Sequence, residues 1–375
     1  MWKFSIAILS AILAVSGSIA RAPDLDEVKA VENVEVVETV EVVEPAEVVE
    51  TVETVEEVKS TGIDLTFVGD VTFVNPIDRH SRKHGYQYAW EHVSHHFQDD
   101  DISLINLETP ISTRGEPHEW KEFTYRSSPK NIGEMKEASI EYVNLANNHL
   151  LDYGRVAFAD TLKLLNEGGI KYSGGGMDIQ EANKPAVFEV DGKTVGVISY
   201  SRVVPKVDWY ATTKRSGIVG AYDSQLKGVL EYVKEYNSEF DLLVLSIHWG
   251  EMYQDYPRKQ EEVAARKLID AGADLIIGHH PHCIQGVEIY KGKPIFYSMG
   301  NFIFPNLGKN ADTTFIGKAS FEGDKFTKME MVPCKIVGGR PVPLEGKERD
   351  KAFSNLNKLS KKYGTVFKDG VLTGD

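Results

Sequence analysis

The feature that most constrains this fold is a series of short apolar runs that each end in a polar or ionisable side chain. Five runs are followed by residues that can bind a metal ion or move a proton: Asp70, Glu108, Asn148 with His149, His248, and the cluster at residues 279–282. Segments with helical periodicity separate most of these runs, so strands alternate with helices. In α/β sheets the chemistry lies beyond the carboxyl ends of the strands. The sequence therefore predicts a layered α/β domain with one site at a common edge.

The periodicity also places the individual elements. Strands are predicted at residues 63–68, 102–107, 141–145, 241–247, 273–277 and 294–298. Helices are predicted at residues 86–97, 155–167, 223–236, 258–271 and 348–363. Asp191-Gly192 stands between apolar runs at 186–190 and 194–200 and predicts a β-hairpin.

The first 61 residues differ in character from the rest of the chain. Lys3, an apolar run and then small residues within residues 1–22 predict a secretory signal, with an uncleaved N-terminal anchor as the alternative. Residues 23–61 form an acidic Val-Glu repeat with Glu at every third position from Glu32 to Glu56. That period fits neither one helix face nor one strand face, which predicts a solvated linker. We therefore expect a protein that is secreted or tethered outside the cell membrane, with its domain at residues 62–365.

Charge and cysteine content exclude two classes of protein. The formal net charge is −14, which argues against a nucleic-acid partner. Residues 24–60 carry 13 acidic and two basic residues, so the remainder is only mildly acidic. The two cysteines, Cys283 and Cys334, are too few for a disulfide scaffold.

The side chains at the strand ends form a mixed set of nitrogen and oxygen donors. They are Asp70, Glu108, Asn148, His149, His248, His280 and His282. Such a set suits Mn, Fe or Zn better than Ca or Mg alone. Seven candidates are too many for one tetrahedral ion and fit two ions about 3.5–4 Å apart that share a carboxylate. On an extended backbone His280 and His282 would point the same way, with His279 as the alternative to His280.

Six motifs that occur in order carry a family resemblance. They are Gly69-Asp70, Asn106-Leu107-Glu108, Ala146-Asn147-Asn148-His149 with Asp152 and Gly154, His248-Trp249-Gly250, Gly278-His279-His280-Pro281-His282, and Ser298-Met299-Gly300-Asn301-Phe302. Over residues 62–365 the chain resembles the bacterial capsule-synthesis CapA family, also called the PgsA-type poly-γ-glutamate biosynthesis proteins. That family is similar to the calcineurin-like metallophosphoesterases. The resemblance implies a four-layered α/β/β/α sandwich of the metallophosphoesterase type with one or two divalent metal ions.

The resemblance also implies roles for particular residues and partners. It implies a catalytic acid at His149 and metal ligands at Asp70, Glu108, Asn148, His248, His280 and His282, with Glu108 in the bridging position. It further implies an anionic polymer, poly-γ-glutamate or capsule, as partner and a membrane synthase complex as a second one. A cationic rim on the loops would steer such a polymer to the site, so Arg126 and Arg202 are candidate substrate contacts, together with Trp249.

Three functions are compatible with these observations. The first is an extracytoplasmic metal-dependent hydrolase or transferase that acts on an anionic polymer. The second is a non-catalytic, envelope-tethered subunit that supports a membrane polymer synthase or exporter. It is motivated by Val71 and Thr72, which follow Asp70 where the superfamily has Asp-x-His. The third, a phosphoesterase on an envelope metabolite, follows from the superfamily alone.

Overall fold

A computed structural model of the chain describes residues 62–305, 308 and 310–374. The predicted signal or anchor at residues 1–22 and the linker at residues 23–61 lie outside the described residues, which begin at Gly62. No helix in the described part of the chain is long and apolar enough to cross a membrane.

The described residues form seventeen strands and seven α-helices. The strands are β1 (Ile63–Val71), β2 (Ile102–Leu107), β3 (Tyr142–Asn144), β4 (Lys171–Ser173), β5 (Gly175–Gly176), β6 (Ala186–Val190), β7 (Lys193–Ser201), β8 (Gly217–Ile218), β9 (Leu242–His248), β10 (Leu275–His279), β11 (Val287–Tyr290), β12 (Lys293–Phe296), β13 (Asn301–Ile303), β14 (Thr313–Glu322), β15 (Lys325–Val337), β16 (Arg340–Pro343) and β17 (Val371–Thr373). The helices are α1 (Ile77–His84), α2 (Asn131–Glu137), α3 (Gly154–Gly168), α4 (Ile179–Asn183), α5 (Asp223–Asn237), α6 (Lys259–Ala271) and α7 (Gly346–Ser360).

Most strands belong to two large mixed sheets. In the nine-stranded sheet β1, β2, β3 and β4 run parallel, and β14, β15 and β16 continue it antiparallel from the other side of β1. In the six-stranded sheet β7, β9, β10 and β12 run parallel, with β6 and β11 antiparallel at the edges. Strands β5 and β8 form a separate two-stranded sheet. Parallel strands alternate with helices here because a parallel connection needs a crossover.

Burial shows that the two sheets pack face to face with helices outside them. Phe67 of β1 and Val244 of β9 belong to one apolar cluster between the sheets. Their neighbours Val68 and Leu245 point the opposite way, into clusters with α3 and with α5 and α6 respectively. Successive strand residues alternate between faces, and both faces of each central strand are covered. The layers are therefore α/β/β/α, which confirms the predicted fold class.

Several element predictions are confirmed and one is wrong. Val190 pairs with Lys193 across Asp191-Gly192, and both turn residues have positive φ, as a two-residue hairpin requires. Residues 86–97 are not an α-helix but contain two short 3₁₀ turns, Tyr86–Ala89 and Ser94–Phe97. The turns let Trp90 and Phe97 both pack against Phe302, so tertiary packing overrides the local pattern.

The folded region continues beyond residue 365, the end expected from the sequence, because β17 pairs with β15. Near the carboxyl end of the central strand β1, a glycine allows a close backbone approach beside the site. A Cβ on Gly69 would lie 1.9 Å from the carbonyl oxygen of Gly300. The Asp70 N–H donates to that oxygen at 2.8 Å, which fixes the end of β1 against the start of β13.

Candidate metal centre

The carboxyl ends of strands from both sheets meet at one edge of the sandwich. The first sheet supplies the ends of β1, β2 and β3, and the second supplies the ends of β9 and β10. The residues brought together there are Asp70, Glu108, Asn148, His149, His248, His280 and His282. The edge expected from the sequence is therefore where the polar strand ends converge.

Asp70 is fully buried and held from several sides. Its Oδ1 accepts from Asn106 Nδ2 at 2.7 Å, and its Oδ2 accepts from the His280 backbone N–H at 3.3 Å. The Oδ2 also lies 3.1 Å from His282 Nδ1. Burial raises the pKa of Asp70, but His279 and His282 outweigh it and hold that pKa well below its usual value. The side chain is therefore a fixed, ionised carboxylate.

Glu108 is also fully buried, with His149 from the first sheet and His248 from the second sheet beside it. Its Oε1 is 3.5 Å from His248 Nε2 and 3.9 Å from His149 Nε2, yet neither carboxylate oxygen has a hydrogen-bond partner among the described residues. Burial, and then the charge of Asp70, raise the pKa of Glu108 well above its usual value. A buried carboxylate without donors is costly unless a cation neutralises it.

The ligand-capable atoms form two groups that share this carboxylate. One group is Glu108, His248 and His280, and the other is Asp70, Glu108 and His282, with all ligand atoms of a group within 4.8 Å of one another. Asn148 adds an amide oxygen 2.6 Å from His248 Nε2, on the side of the first group. Two donor groups around one carboxylate match the layout of a bridged two-ion site.

The protonation states of two of the three histidines suit cation binding. Burial lowers the pKa of His248 well below its usual value and that of His280 to about 3. Burial also lowers the pKa of His282, but Glu108 and Asp70 raise it to about 9 overall. His248 and His280 are thus neutral at pH 7, the form that ligates metals. His282 carries a proton at pH 7 in the metal-free protein, held by the negative charge of Glu108 and Asp70, and a metal ion would displace that proton.

The histidine cluster reaches the centre by a turn and not by an extended strand. Strand β10 ends at His279, and His280 and His282 have φ values of 96° and 58°. The expected extended backbone is therefore wrong as the reason for their alignment, although their rings do lie near each other, with centroids 5.8 Å apart. His279 joins neither donor group; its Nδ1 is 3.4 Å from Asp70 Oδ1.

The residues present fit a divalent cation. The set combines carboxylates, neutral imidazoles and an amide oxygen, and it contains atoms without a partner, the two Glu108 oxygens and His280 Nδ1. Such orphaned buried atoms call for a bound group. The identity of the metal, Mn, Fe or Zn, stays a prediction.

His149 is mounted as a proton-transfer group at the edge of this centre. Its Nδ1 lies 2.6 Å from Asp152 Oδ2, and its ring stacks on Tyr125 with centroids 4.1 Å apart. Asp152 is acceptor-only, so His149 carries its hydrogen on Nδ1 and presents the Nε2 lone pair towards Glu108. Burial lowers the pKa of His149 to about 4, so the resting imidazole is neutral.

Sequence reasoning missed Lys121, which supports His149 from a distant loop. Its ammonium group donates to the Asn148 carbonyl oxygen and to Asp152 Oδ1. Its Nζ also lies 3.0 Å from His149 Nδ1, whose hydrogen is directed at Asp152, so Lys121 acts on His149 through Asp152. Burial lowers the pKa of Lys121, and Asp152 acts against that. In the sequence Lys121 is one basic residue of a polar loop, 28 residues before His149. Nothing in that position predicts a contact between the two side chains.

The structure corrects two of the three predicted substrate contacts. Trp249 is fully buried, donates from Nε1 to the Tyr297 carbonyl oxygen at 2.9 Å, and is a core residue. Arg202 is 4% exposed and bonds to the Ala221 carbonyl oxygen and to Asp223, so it braces a loop. Arg126 is half-buried and lines a surface cavity, and its role stays a prediction.

The four layers and the donor groups around one shared carboxylate define the class of protein, an α/β/β/α sandwich with a candidate two-cation centre. Residues 64–306 match the family described as "Bacterial capsule synthesis protein PGA_cap", and the chain belongs to that family.

Proteins similar to this chain carry related names. The chain is 28% identical to "Capsule biosynthesis protein CapA" of Bacillus anthracis, over 80% of this chain and 74% of the relative. It is 27% identical to "PGA biosynthesis protein CapA" of Bacillus subtilis (strain 168), over 84% and 82%. It is 29% identical to "Probable polyglutamine synthesis accessory protein MT0602" of Mycobacterium tuberculosis, over 70% and 73%. These matches confirm the family resemblance seen in the sequence.

Proposed function

We propose that this protein is an extracytoplasmic, metal-dependent hydrolase or transferase that acts on an anionic polymer in capsule or poly-γ-glutamate production. The pathway comes from the family and from the names of the relatives. The proposal that the protein is an enzyme rests on the position of His149 and its contacts. Its Nδ1 is held by Asp152 at 2.6 Å, and its Nε2 lies 3.9 Å from the shared carboxylate of Glu108.

The residues suggest how a γ-glutamyl amide would be cleaved. Asp70, Glu108, Asn148, His248, His280 and His282 would hold the cations. Divalent cations at such a site lower the pKa of a water molecule and polarise the scissile group. Cleavage forms a C–O bond, breaks the C–N bond and requires one proton on the departing nitrogen.

His149 is placed to handle that proton. Burial holds the pKa of His149 at about 4, so its Nε2 is unprotonated in the resting protein and can accept the proton that the attacking water loses as the C–O bond forms. Asp152 stabilises the resulting imidazolium, and the protonated Nε2 then donates to the leaving nitrogen. Tyr125 stacks on the ring and keeps it from turning, so the proton is held at a fixed position.

A non-catalytic subunit is the second candidate, and one observation favours it. Thr72 occupies the position of the superfamily's second ligand, and its buried Oγ1 has no hydrogen-bond partner among the described residues. The donor group around Asp70 is therefore poorer than in the superfamily. The name of the mycobacterial relative, an accessory protein, agrees with this alternative.

Purified full-length protein separates the candidates. Metal content is measured first, followed by turnover of poly-γ-glutamate and of a generic phosphodiester, for the wild type and His149→Gln. His96→Gln is the matched control, because His96 lies on a 3₁₀ turn outside the site. The proposal predicts bound metal and polymer turnover that only His149→Gln abolishes.

Other outcomes assign the protein differently. A metal-free, inactive protein that still restores polymer production in a deletion strain would contradict the enzymatic proposal and favour the supporting subunit. Phosphodiester turnover without polymer cleavage would assign a phosphoesterase. The location is tested separately, by fractionating cells and sequencing the N-terminus of the mature protein, because the pattern in residues 1–22 supports export.

A further inference from the structure

A polar cavity of about 470 Å³ lies beside the candidate metal centre. Its volume falls within the range of about 300–1,000 Å³ that is typical of small-ligand sites. Thr113, Thr124, Arg126 and Tyr153 line it together with Asp78 and Arg82 of α1. Thr113 and Thr124 have hydroxyl groups without a hydrogen-bond partner among the described residues, so the cavity offers free donors.

Arg126 is the unbalanced charge of this cavity. Arg82 is paired with Asp78 at 2.8 Å, whereas no carboxylate lies within 4 Å of the Arg126 guanidinium in the described part of the chain. Its Nη1 donates to the carbonyl oxygens of Arg114 and Gly115, at 3.2 and 2.9 Å. The lining thus carries one net positive charge.

The guanidinium is also fixed in place, with donors to spare. It lies over the Tyr153 ring, 4.2 Å from the centroid. Its Nε and Nη2 donate to no atom of the described residues. A planar fork with two adjacent free N–H groups matches the two oxygens of a carboxylate. Since the carbonyls and the ring already hold Arg126, little side-chain entropy remains to be lost on binding.

The cavity is one side chain away from the candidate metal centre. Tyr125 lines the cavity and stacks on His149 at 4.1 Å. Ser127 also lines it, and its Oγ lies 3.0 Å from Oγ1 of Thr109, which directly follows Glu108. The cavity and the metal centre are therefore neighbouring positions, separated on this side by the Tyr125 side chain.

We propose that this cavity is a subsite for the carboxylate of an acidic repeating unit next to the processed bond, with Arg126 as its specificity-determining residue. The inference rests on the proposed function for the choice of a carboxylate polymer. It goes beyond that function because it assigns a site, a contact and a recognised group away from the metal ligands.

Binding to metal-free protein tests the subsite independently of catalysis. A pentamer of γ-linked glutamate is titrated into full-length protein in the presence of a chelator, followed by calorimetry. Arg126→Gln should weaken binding about 10- to 100-fold, since a hydrogen-bonded charge is removed. Arg126→Lys should fall between the two, because it keeps the charge and loses the fork. Arg114→Gln is the matched control, since Arg114 is paired with Asp160 and does not line the cavity.

A second pair of variants keeps the test valid if Arg126→Gln fails to fold. Thr113 is exposed at the cavity and makes no side-chain hydrogen bond among the described residues. Thr113→Glu should weaken pentamer binding at least about fivefold relative to Thr113→Gln, which has the same size without the charge.

The outcomes separate failure of the subsite from failure of the proposed function. No pentamer binding by the wild type, or equal affinity of Arg126→Gln and the wild type, overturns the subsite even if the metal-loaded protein cleaves polymer. Tighter binding of a glycerol-phosphate oligomer overturns the assignment to a carboxylate. Arg126-dependent pentamer binding supports the subsite even where the metal-loaded protein shows no turnover.

Discussion

Replacing Glu108 with Gln should change the stability of the protein in opposite directions with and without metal. Without metal, the buried carboxylate has no hydrogen-bond partner among the described residues. Such a group costs about 1–3 kcal/mol, and more when it is charged. Glu108→Gln removes the ionisable group, and with it the cost of burying a charged carboxylate or of protonating it on folding, so the metal-free variant should unfold at pH 7 with a free energy about 1–3 kcal/mol higher than the metal-free wild type.

The pH dependence of this effect follows from the raised pKa of Glu108. Burial, and then Asp70, raise that pKa well above the usual 4.5, so the folded protein holds this proton more tightly than the unfolded chain. The contribution of Glu108 to stability is therefore fully present below pH 4.5 and is lost as the pH rises towards the folded pKa. The free energy of unfolding that metal-free Glu108→Gln gains over the wild type should accordingly be larger at pH 7 than at pH 5. Denaturant unfolding of both proteins at the two pH values measures this difference.

With metal the sign reverses, because Glu108 belongs to both donor groups. Free metal at about 1,000 times its Kd would stabilise the wild type by about 4 kcal/mol, and the variant should lose most of that gain. Glu141→Gln is the matched control, a partly buried carboxylate that accepts from the Ser103 N–H at 2.8 Å outside the site. It should keep the full metal effect. Full metal stabilisation of Glu108→Gln, or a metal-free variant less stable than the wild type at pH 7, would refute this reasoning.

Three further substitutions test other parts of the site. His149→Gln should lower polymer turnover about 10²- to 10⁴-fold and leave metal content unchanged, as judged by elemental analysis; a loss of metal would count against its role as the acid. Asp152→Asn should lower turnover at least about tenfold, because a neutral amide stabilises the His149 imidazolium less than the carboxylate oxygen 2.6 Å from Nδ1 does, and an unchanged pH–rate profile would argue against this pairing. Trp249→Ala should lower the free energy of unfolding by about 3–5 kcal/mol, since Trp249 is fully buried. A variant of unchanged stability that binds the polymer more weakly would instead identify Trp249 as a substrate contact.

The sequence predicts the layers and the meeting point of the site because both depend on short-range pattern. Continuous apolar runs such as the one before Glu108 mark strands covered on both faces. Parallel strands share one carboxyl edge, so the sequence alone assigns Asp70, Asn148 and His248 to one place.

Other features depend on long-range packing, and the sequence does not predict them. The turn at His280 is fixed by its backbone N–H on Asp70, 210 residues away. Whether an aromatic at a strand end faces the site or the core depends on the turn that follows: Trp249 bonds through its backbone N–H to the His279 carbonyl oxygen and turns its indole towards Tyr297. Lys121 reaches His149 only because a loop folds back over the strand ends.

The most direct test of the central claim is anomalous diffraction from crystals of the full-length protein grown with Mn²⁺ or Zn²⁺. Two donor groups sharing Glu108 predict two anomalous peaks on either side of its carboxylate, about 3.5–4 Å apart. One peak should lie near His248 and His280, and the other near Asp70 and His282. The absence of a peak at Glu108, or a single peak coordinated without it, would contradict the account.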